Sequence, residues 1–275
     1  MTASWTPPAQ PVRVIKIGGS LITDRSRRAA FKEDCVDAFA EALAALQADG
    51  ELDDFVLILG GGSFAHDIVH EHQINRPNWR NVKDFFELPA SLYRLQTLVT
   101  ERLRRAGLPG VPLQTTSWLC WPDGDGHVTF APPLLAAIDN QIIPVLTGGW
   151  VFDRRRRVRI VSSDWLPLAI CESLPIRDVT VLTDQPGIRV TMESEEIHRE
   201  VSADNFEFVR RSLRSAQRTD VTGAMQGKFD SLLELARRGV RSTIGNGRNI
   251  NESTLRDLLS ASPSGTVFLP WPHHE

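Results

Sequence analysis

Apolar residues along the chain follow two rhythms. Short, mostly β-branched runs closed by glycine or by Ser, Thr or Asp alternate with longer stretches whose apolar positions recur every three or four residues. Val12–Ile17 (VRVIKI), Phe55–Leu59 (FVLIL), Ile142–Leu146 (IIPVL) and Val179–Leu182 (VTVL) predict buried strands, with shorter ones at Val111–Leu113, Ser242–Ile244 and Val267–Leu269. Phe31–Ala48 places Phe31, Cys35, Phe39, Leu43 and Leu46 at helical spacing. Leu88–Ala106, Ser163–Leu174, Phe229–Arg238 and Glu252–Leu259 also predict helices, and a helical stretch starts at His66. Pro167 falls in the first turn of its helix, where a missing N–H costs little. Strands alternating with helices predict an α/β fold whose mainly parallel sheet is covered on both faces. Ligands of such sheets bind beyond the carboxyl ends of the strands. Residues 1–11 read as a loose arm, Pro122–His127 as a turn, and Arg154–Arg157 as a solvated hairpin tip between two strands.

Charge narrows the class of partner. The 275 residues carry 31 Lys and Arg against 34 Asp and Glu, a net charge of -3. This balance gives no footprint for nucleic acid or a membrane surface, although it leaves room for a local cationic pocket. Cys35, Cys120 and Cys171 stand far apart with no CxxC spacing, so neither a disulfide framework nor a cysteine zinc site is expected. That usage suits a cytoplasmic protein. No apolar run is long enough to span a bilayer, and the N-terminus lacks the features of a signal peptide.

Three constellations carry candidate chemistry. In Lys16-Ile17-Gly18-Gly19-Ser20, glycines at a strand end let backbone N–H groups approach phosphate oxygens, and the lysine brings an ammonium to a transferring phosphoryl group. The lysine precedes the glycines, so this is not a P-loop. In Gly60-Gly61-Gly62-Ser63-Phe64-Ala65-His66, three glycines follow a buried strand at high entropic cost, which a close anion explains, with His66 as hydrogen-bond donor. His66, His70 and His72 lack further clustered ligands and read as ordinary histidines, so no metal-ligating set is assigned. Lys228 follows Thr222, Gly223 and Gly227 at the start of a helix, where a positive charge is unfavourable unless something negative sits beside it. Together these suit phosphoryl transfer, which rests on positioning and charge neutralisation. Asp164 in Ser162-Ser163-Asp164 and Asp184 in Thr183-Asp184-Gln185-Pro186-Gly187 are each placed to hold Mg2+, directly or through water, and each reads equally as a helix cap.

The motifs VIKIGGSLITD (14–24), LGGGSFAH (59–66), SSD (162–164), LTDQPGI (182–188) and DVTGAMQGK (220–228) occur in an order that resembles the amino acid kinase superfamily, in the branch of isopentenyl phosphate kinase and fosfomycin resistance kinase. The resemblance implies a three-layer αβα sandwich with an open, mainly parallel sheet, an acceptor lobe over about residues 12–178 and a nucleotide lobe over about 179–275. It implies ATP and Mg2+ as cofactors, a small phosphate or phosphonate as acceptor, and a homodimer. Lys16, Arg25, His66 and Lys228 would stabilise the transferring phosphoryl group. Gly18, Gly19, Ser20, Thr183, Asp184, Gly187 and Gly223 would line the nucleotide site. Gly61, Gly62, Ser63, His66, Gly148, Gly149 and Asp164 would line the acceptor site. Three positions depart from the branch: Arg25 stands for a lysine, Ala65 for a glycine, and Gly149 for an aspartate. The missing carboxylate keeps open a non-catalytic nucleotide- or anion-binding protein on the same fold. An apolar pocket for an acceptor tail, built from Phe85, Phe86, Leu88, Leu92 and Leu95 and closed by Trp79, Trp118 or Trp121, competes with a plain core role for these residues.

Overall fold

The protein was analysed as a computed structural model, which describes residues 10–74, 76, 79, 85–122, 126–191, 194–216 and 224–272. Its frame is an eight-stranded sheet. The strands lie in the order Glu200–Val201, Thr266–Phe268, Arg241–Asn246, Ile176–Thr183, Val12–Ile17, Phe55–Leu59, Ile143–Thr147 and Gly110–Pro112. Neighbours run parallel except Arg241–Asn246 against Thr266–Phe268. The first strand is central. Strands up to Ile143–Thr147 lie on one side of it, and those from Ile176–Thr183 onward on the other. Successive connections therefore leave in opposite directions around Val12–Ile17, which opens a crevice at the carboxyl tips there.

Alternation along the first strand sorts the two faces. Ile15 and Ile17 join Leu57, Leu59 and Val145 in a core covered by the helices Glu33–Ala48, Glu87–Arg105 and Glu252–Leu258. Val12 and Val14 join Val56, Ile58, Val179 and Val181 in a second core beneath Leu166–Cys171 and Ala224–Arg237. Lys16 has the parity of Val12 and Val14, so its side chain enters that second layer at the strand tip, where it is 2 % exposed. A third cluster, of Ile68, Ile74, Trp79, Phe85, Leu88 and Leu92, packs beside the tip of the second strand. Among the described residues no helix is long and apolar enough to cross a membrane.

The predicted strands all form, with ends shifted by a few residues. Three helices differ from expectation; the one expected over Phe229–Arg238 runs over Ala224–Arg237 and so includes Lys228. Phe31 does not open the first long helix; it pairs with Thr23 in a small antiparallel hairpin, Thr23–Asp24 against Ala30–Phe31. The helix begins only at Glu33, whose charge and that of Asp34 suit a helix N-terminus. The helix expected over Ser163–Leu174 is confined to Leu166–Cys171, and Ser163 ahead of it packs its backbone against Gly148. The arginine run forms the expected exposed tip between Gly149–Asp153 and Arg157–Val161. Trp118 and Trp121 belong to the second core rather than to any acceptor pocket.

Glycines at the crevice are there because backbones touch. A Cβ on Gly60 would overlap the backbone N of Gly19, and one on Gly148 the backbone N of Ser163. Gly227 has open space on its helix. Gly60→Ala should therefore cost about 3 kcal/mol as an overpacking change, a drop of roughly 6–12 °C in Tm for a chain of this size. Gly227→Ala should leave Tm unchanged or raise it, since alanine is the better helix former. Thermal unfolding followed by circular dichroism compares the two.

Candidate functional site

At the tip of the first strand, the Lys16 ammonium donates to Asp164 Oδ1 at 2.5 Å. Lys228, from the Ala224–Arg237 helix, reaches Asp164 Oδ2 at 3.2 Å. One carboxylate thus holds two ammonium groups that come from opposite ends of the chain. Ser162 orients it: its hydroxyl accepts from the Asp164 backbone N at 3.2 Å and donates to Oδ2 at 3.4 Å. The turn carrying Asp164 is in turn set by the close approach of Gly148. Asp164 caps no helix, for the Leu166–Cys171 helix starts at Trp165 without a side-chain cap.

Burial governs the charges. Desolvation lowers the Lys16 pKa, and Asp164 opposes that shift while Lys228 adds to it. Burial pushes the Asp164 carboxyl up, yet the ammonium groups of Lys16 and Lys228 outweigh it and hold the pKa below its ordinary value. Burial also lowers the His66 pKa, followed by the Arg25 and Lys228 charges; Asp67 and Asp164 offset this only in part. His66 is therefore a neutral imidazole at neutral pH, able to donate one hydrogen bond.

Two glycine loops face this triad. The single helical turn Gly19–Ile22 follows Gly18, and its first N–H groups have no intrahelical partners. Across from it, Gly61 precedes the short turn Gly62–Phe64, and the helix His66–Glu71 follows. A Cβ on Gly19 would strike Gly62, so the loops are in backbone contact. Thr23 ties them: its hydroxyl donates to Gly19 O at 2.7 Å and accepts from Ser63 N at 3.1 Å. Ser63 is buried, its hydroxyl accepting from Ala30 N at 3.3 Å, so its side chain serves the loop's own structure.

On the other side of the first strand, Thr183 is buried and donates to Asp184 Oδ1 at 3.3 Å, while Arg248 stands 3.7 Å from Asp184 Oδ2. Gly187 has φ +157 and lies against Thr266, whose hydroxyl accepts from Ile188 N at 2.9 Å. Gly149 has φ +150, and any side chain there would overlap Leu92. An aspartate at this position would strain the backbone and require the Leu92 side chain to move. Gly223 lies outside the described residues. Both Asp164 oxygens are taken by lysines, and no cluster of three His, Cys, Asp or Glu occurs among the described residues. These residues do not form a protein cage for Mg2+, an ion that is commonly held through substrate phosphates and water.

Paired cations at parallel strand tips, facing glycine loops at a topological switch, define a phosphotransferase of the α/β class. Comparison with known proteins agrees. The model of the amino acid kinase family matches residues 11–246. The chain is 27% identical over 267 residues to the isopentenyl phosphate kinase of Methanothermobacter thermautotrophicus, covering 92% of this chain and 97% of that protein. It is 22% identical to the isopentenyl phosphate kinase of Methanocaldococcus jannaschii over 89% and 95% of the two chains. A solved isopentenyl phosphate kinase structure superposes with a TM-score of 0.77 at 22% identity, covering 94% of this chain and 99% of the other. The chain belongs to the amino acid kinase family.

The structure brings together Lys16, Lys228, Asp164 and the two glycine loops, with Arg25 and His66 near enough to act on one another's charge. Sequence reasoning missed two features. Nothing in the spacing showed that Asp164 spans both lysines, and a lone Thr23 beyond the first glycine turn gave no periodic signal.

Two predictions follow from these contacts. Asp164→Asn removes the carboxylate shared by the buried Lys16 and the half-buried Lys228, and should cost about 3 kcal/mol in urea unfolding. Below about pH 6.5 the unfolded chain takes up a proton that His66, exposed yet partly desolvated and beside the Arg25 and Lys228 charges, resists, so stability falls as pH falls. Replacing it by His66→Gln should make the loss between pH 7.5 and 5.5 smaller than in the parent, as read by unfolding at both pH values.

Proposed function

We propose that this chain is an ATP-dependent kinase that transfers the γ-phosphoryl group to a small phosphate monoester, with isopentenyl phosphate as the acceptor and a phosphoanhydride as the product. The observation that carries the reading is the Lys16–Asp164–Lys228 triad facing two glycine loops in contact. The named relatives support the choice of acceptor.

An acceptor phosphate oxygen is already anionic and needs no strong base. It attacks the γ-phosphorus as the bond to the β-phosphate oxygen breaks, and ADP leaves with that electron pair. Negative charge crowds at this step, and Lys16, Lys228 and Arg25 neutralise it. His66 donates an N–H to the acceptor phosphate. Gly18, Gly19 and Ser20 hold the donor phosphates, and Gly61 and Gly62 the acceptor. Thr183, Asp184 and Gly187 border the nucleotide. A Mg2+ ion would be held by the nucleotide's phosphates and would add positive charge there, and the enzyme works as a homodimer.

For the tail, the candidate walls are the satellite cluster of Phe85, Leu88, Leu92 and Trp79, which packs with Ile68 of the helix that His66 opens, with Trp150 against Phe85 at 4.7 Å between ring centroids. Phe86 points to solvent, and Leu95 belongs to a main core.

Release of ADP from ATP and Mg2+ should depend on the acceptor in a panel of small phosphates and phosphonates, isopentenyl phosphate leading and fosfomycin-like phosphonates lagging. Lys16→Ala and His66→Ala should each lower turnover by roughly 10²-fold or more, with the folded state retained. Nucleotide binding without acceptor-dependent release across the panel would establish the non-catalytic alternative.

A further inference from the structure

Transfer between two phosphates demands one fixed separation between the loops that hold them, and an error of about 1 Å in such placement costs on the order of 10²-fold in rate. Thr23 occupies the place where that separation is set. It is completely buried, and its hydroxyl both donates to Gly19 O at 2.7 Å and accepts from Ser63 N at 3.1 Å. Gly19 belongs to the first glycine loop and Ser63 to the second. A Cβ on Gly62 would overlap that same hydroxyl, so the contact leaves no slack.

The rest of the hairpin closes the grip. Ala29 N donates to Ser63 O at 3.0 Å, and Ala30 N donates to Ser63 Oγ at 3.3 Å. Together with Thr23, the hairpin engages the backbone N, the backbone O and the hydroxyl of one buried serine. The turn of the same hairpin carries Arg25, whose charge acts on His66. Only a side chain that is donor and acceptor at once can join a carbonyl to an N–H in this way, and threonine and serine are the small residues that qualify. A residue of the same shape without the hydroxyl strands both partners in a buried place.

We propose that Thr23 is a positioning residue, the pin that fixes the donor and acceptor loops at the distance the transfer requires. Its role in turnover rests on the kinase reading above. Thr23 touches no reacting atom; it acts through Gly19 and Ser63.

The test compares Thr23→Val, which keeps the shape, with Thr23→Ser, which keeps the hydroxyl. Thr23→Ala replaces the valine variant if that protein does not fold. Circular dichroism sets a temperature at which every variant is native. The first readout needs no substrate. Hydrogen exchange at the Ser63 amide should quicken by about 10-fold or more in Thr23→Val, as expected where a local bond is lost, and stay at the parent's rate in Thr23→Ser. The second is steady-state kinetics with ATP and isopentenyl phosphate. At saturation of both, kcat should fall about 10- to 100-fold in Thr23→Val, with KM for ATP nearly unchanged and kcat restored in Thr23→Ser. Unchanged Ser63 exchange in Thr23→Val overturns the pin. Lost protection with unchanged kcat overturns its role in positioning, as does failure of serine to restore the rate. Should the parent release no ADP with any acceptor, the kinase reading falls, and the exchange measurement alone decides whether Thr23 joins the loops.

Discussion

Two ammonium groups confined with one carboxylate in a poorly hydrated crevice are the constraint around which this molecule is arranged. Lys16 and Lys228 come from the first strand and from a helix more than two hundred positions later, and Asp164 bridges them. Left alone, the lysines would repel each other and pay for desolvation. Paired through Asp164, they are a fixed concentration of positive charge with few ordinary solvent contacts. A polyphosphate entering the crevice finds that charge already in place, which is the form of preorganisation that favours a transition state rich in negative charge.

The sheet serves this arrangement. Parallel strands bring their carboxyl tips to one edge, and the reversal of connection around Val12–Ile17 leaves space there. Side-chain parity sends Lys16 into the layer that holds Asp164 and Lys228, while Ile15 and Ile17 anchor the strand in the opposite core. The glycines then permit what side chains would forbid. Gly19 and Gly60 let two loops meet backbone to backbone, and Gly148 lets the Asp164 turn come close. At position 149 the glycine takes a backbone conformation, φ +150, that a side chain would strain, and Leu92 packs against it.

Much of this was legible in the sequence, and the rest was not for physical reasons. The strand at residues 55–59 was plain because a strand buried on both faces is continuously apolar, and that at 12–17 because a β-branched run broken only by Arg13 and Lys16 ends in a glycine turn. The helix Glu87–Arg105 was plain because a long amphipathic stripe has a strong period. The start of the Glu33–Ala48 helix was misplaced because Phe31 fits the helical stripe, while its pairing with Thr23 is a contact that periodicity does not record. The short helix Pro132–Asp139 and the helix Phe206–Ala216 were missed. Within the site, residue types and glycine turns pointed to phosphate chemistry. The convergence of Lys16, Asp164 and Lys228 on one point, and the bridge made by Thr23, depend on how distant segments pack, which local pattern does not encode.

The most direct measurement is a crystal structure with a non-hydrolysable ATP analogue and isopentenyl phosphate bound together. The account predicts that the Nζ atoms of Lys16 and Lys228 lie about 3 Å from oxygens of the β- or γ-phosphate groups, with Asp164 still beside both. A triphosphate bound with both ammonium groups turned away from it would contradict the account.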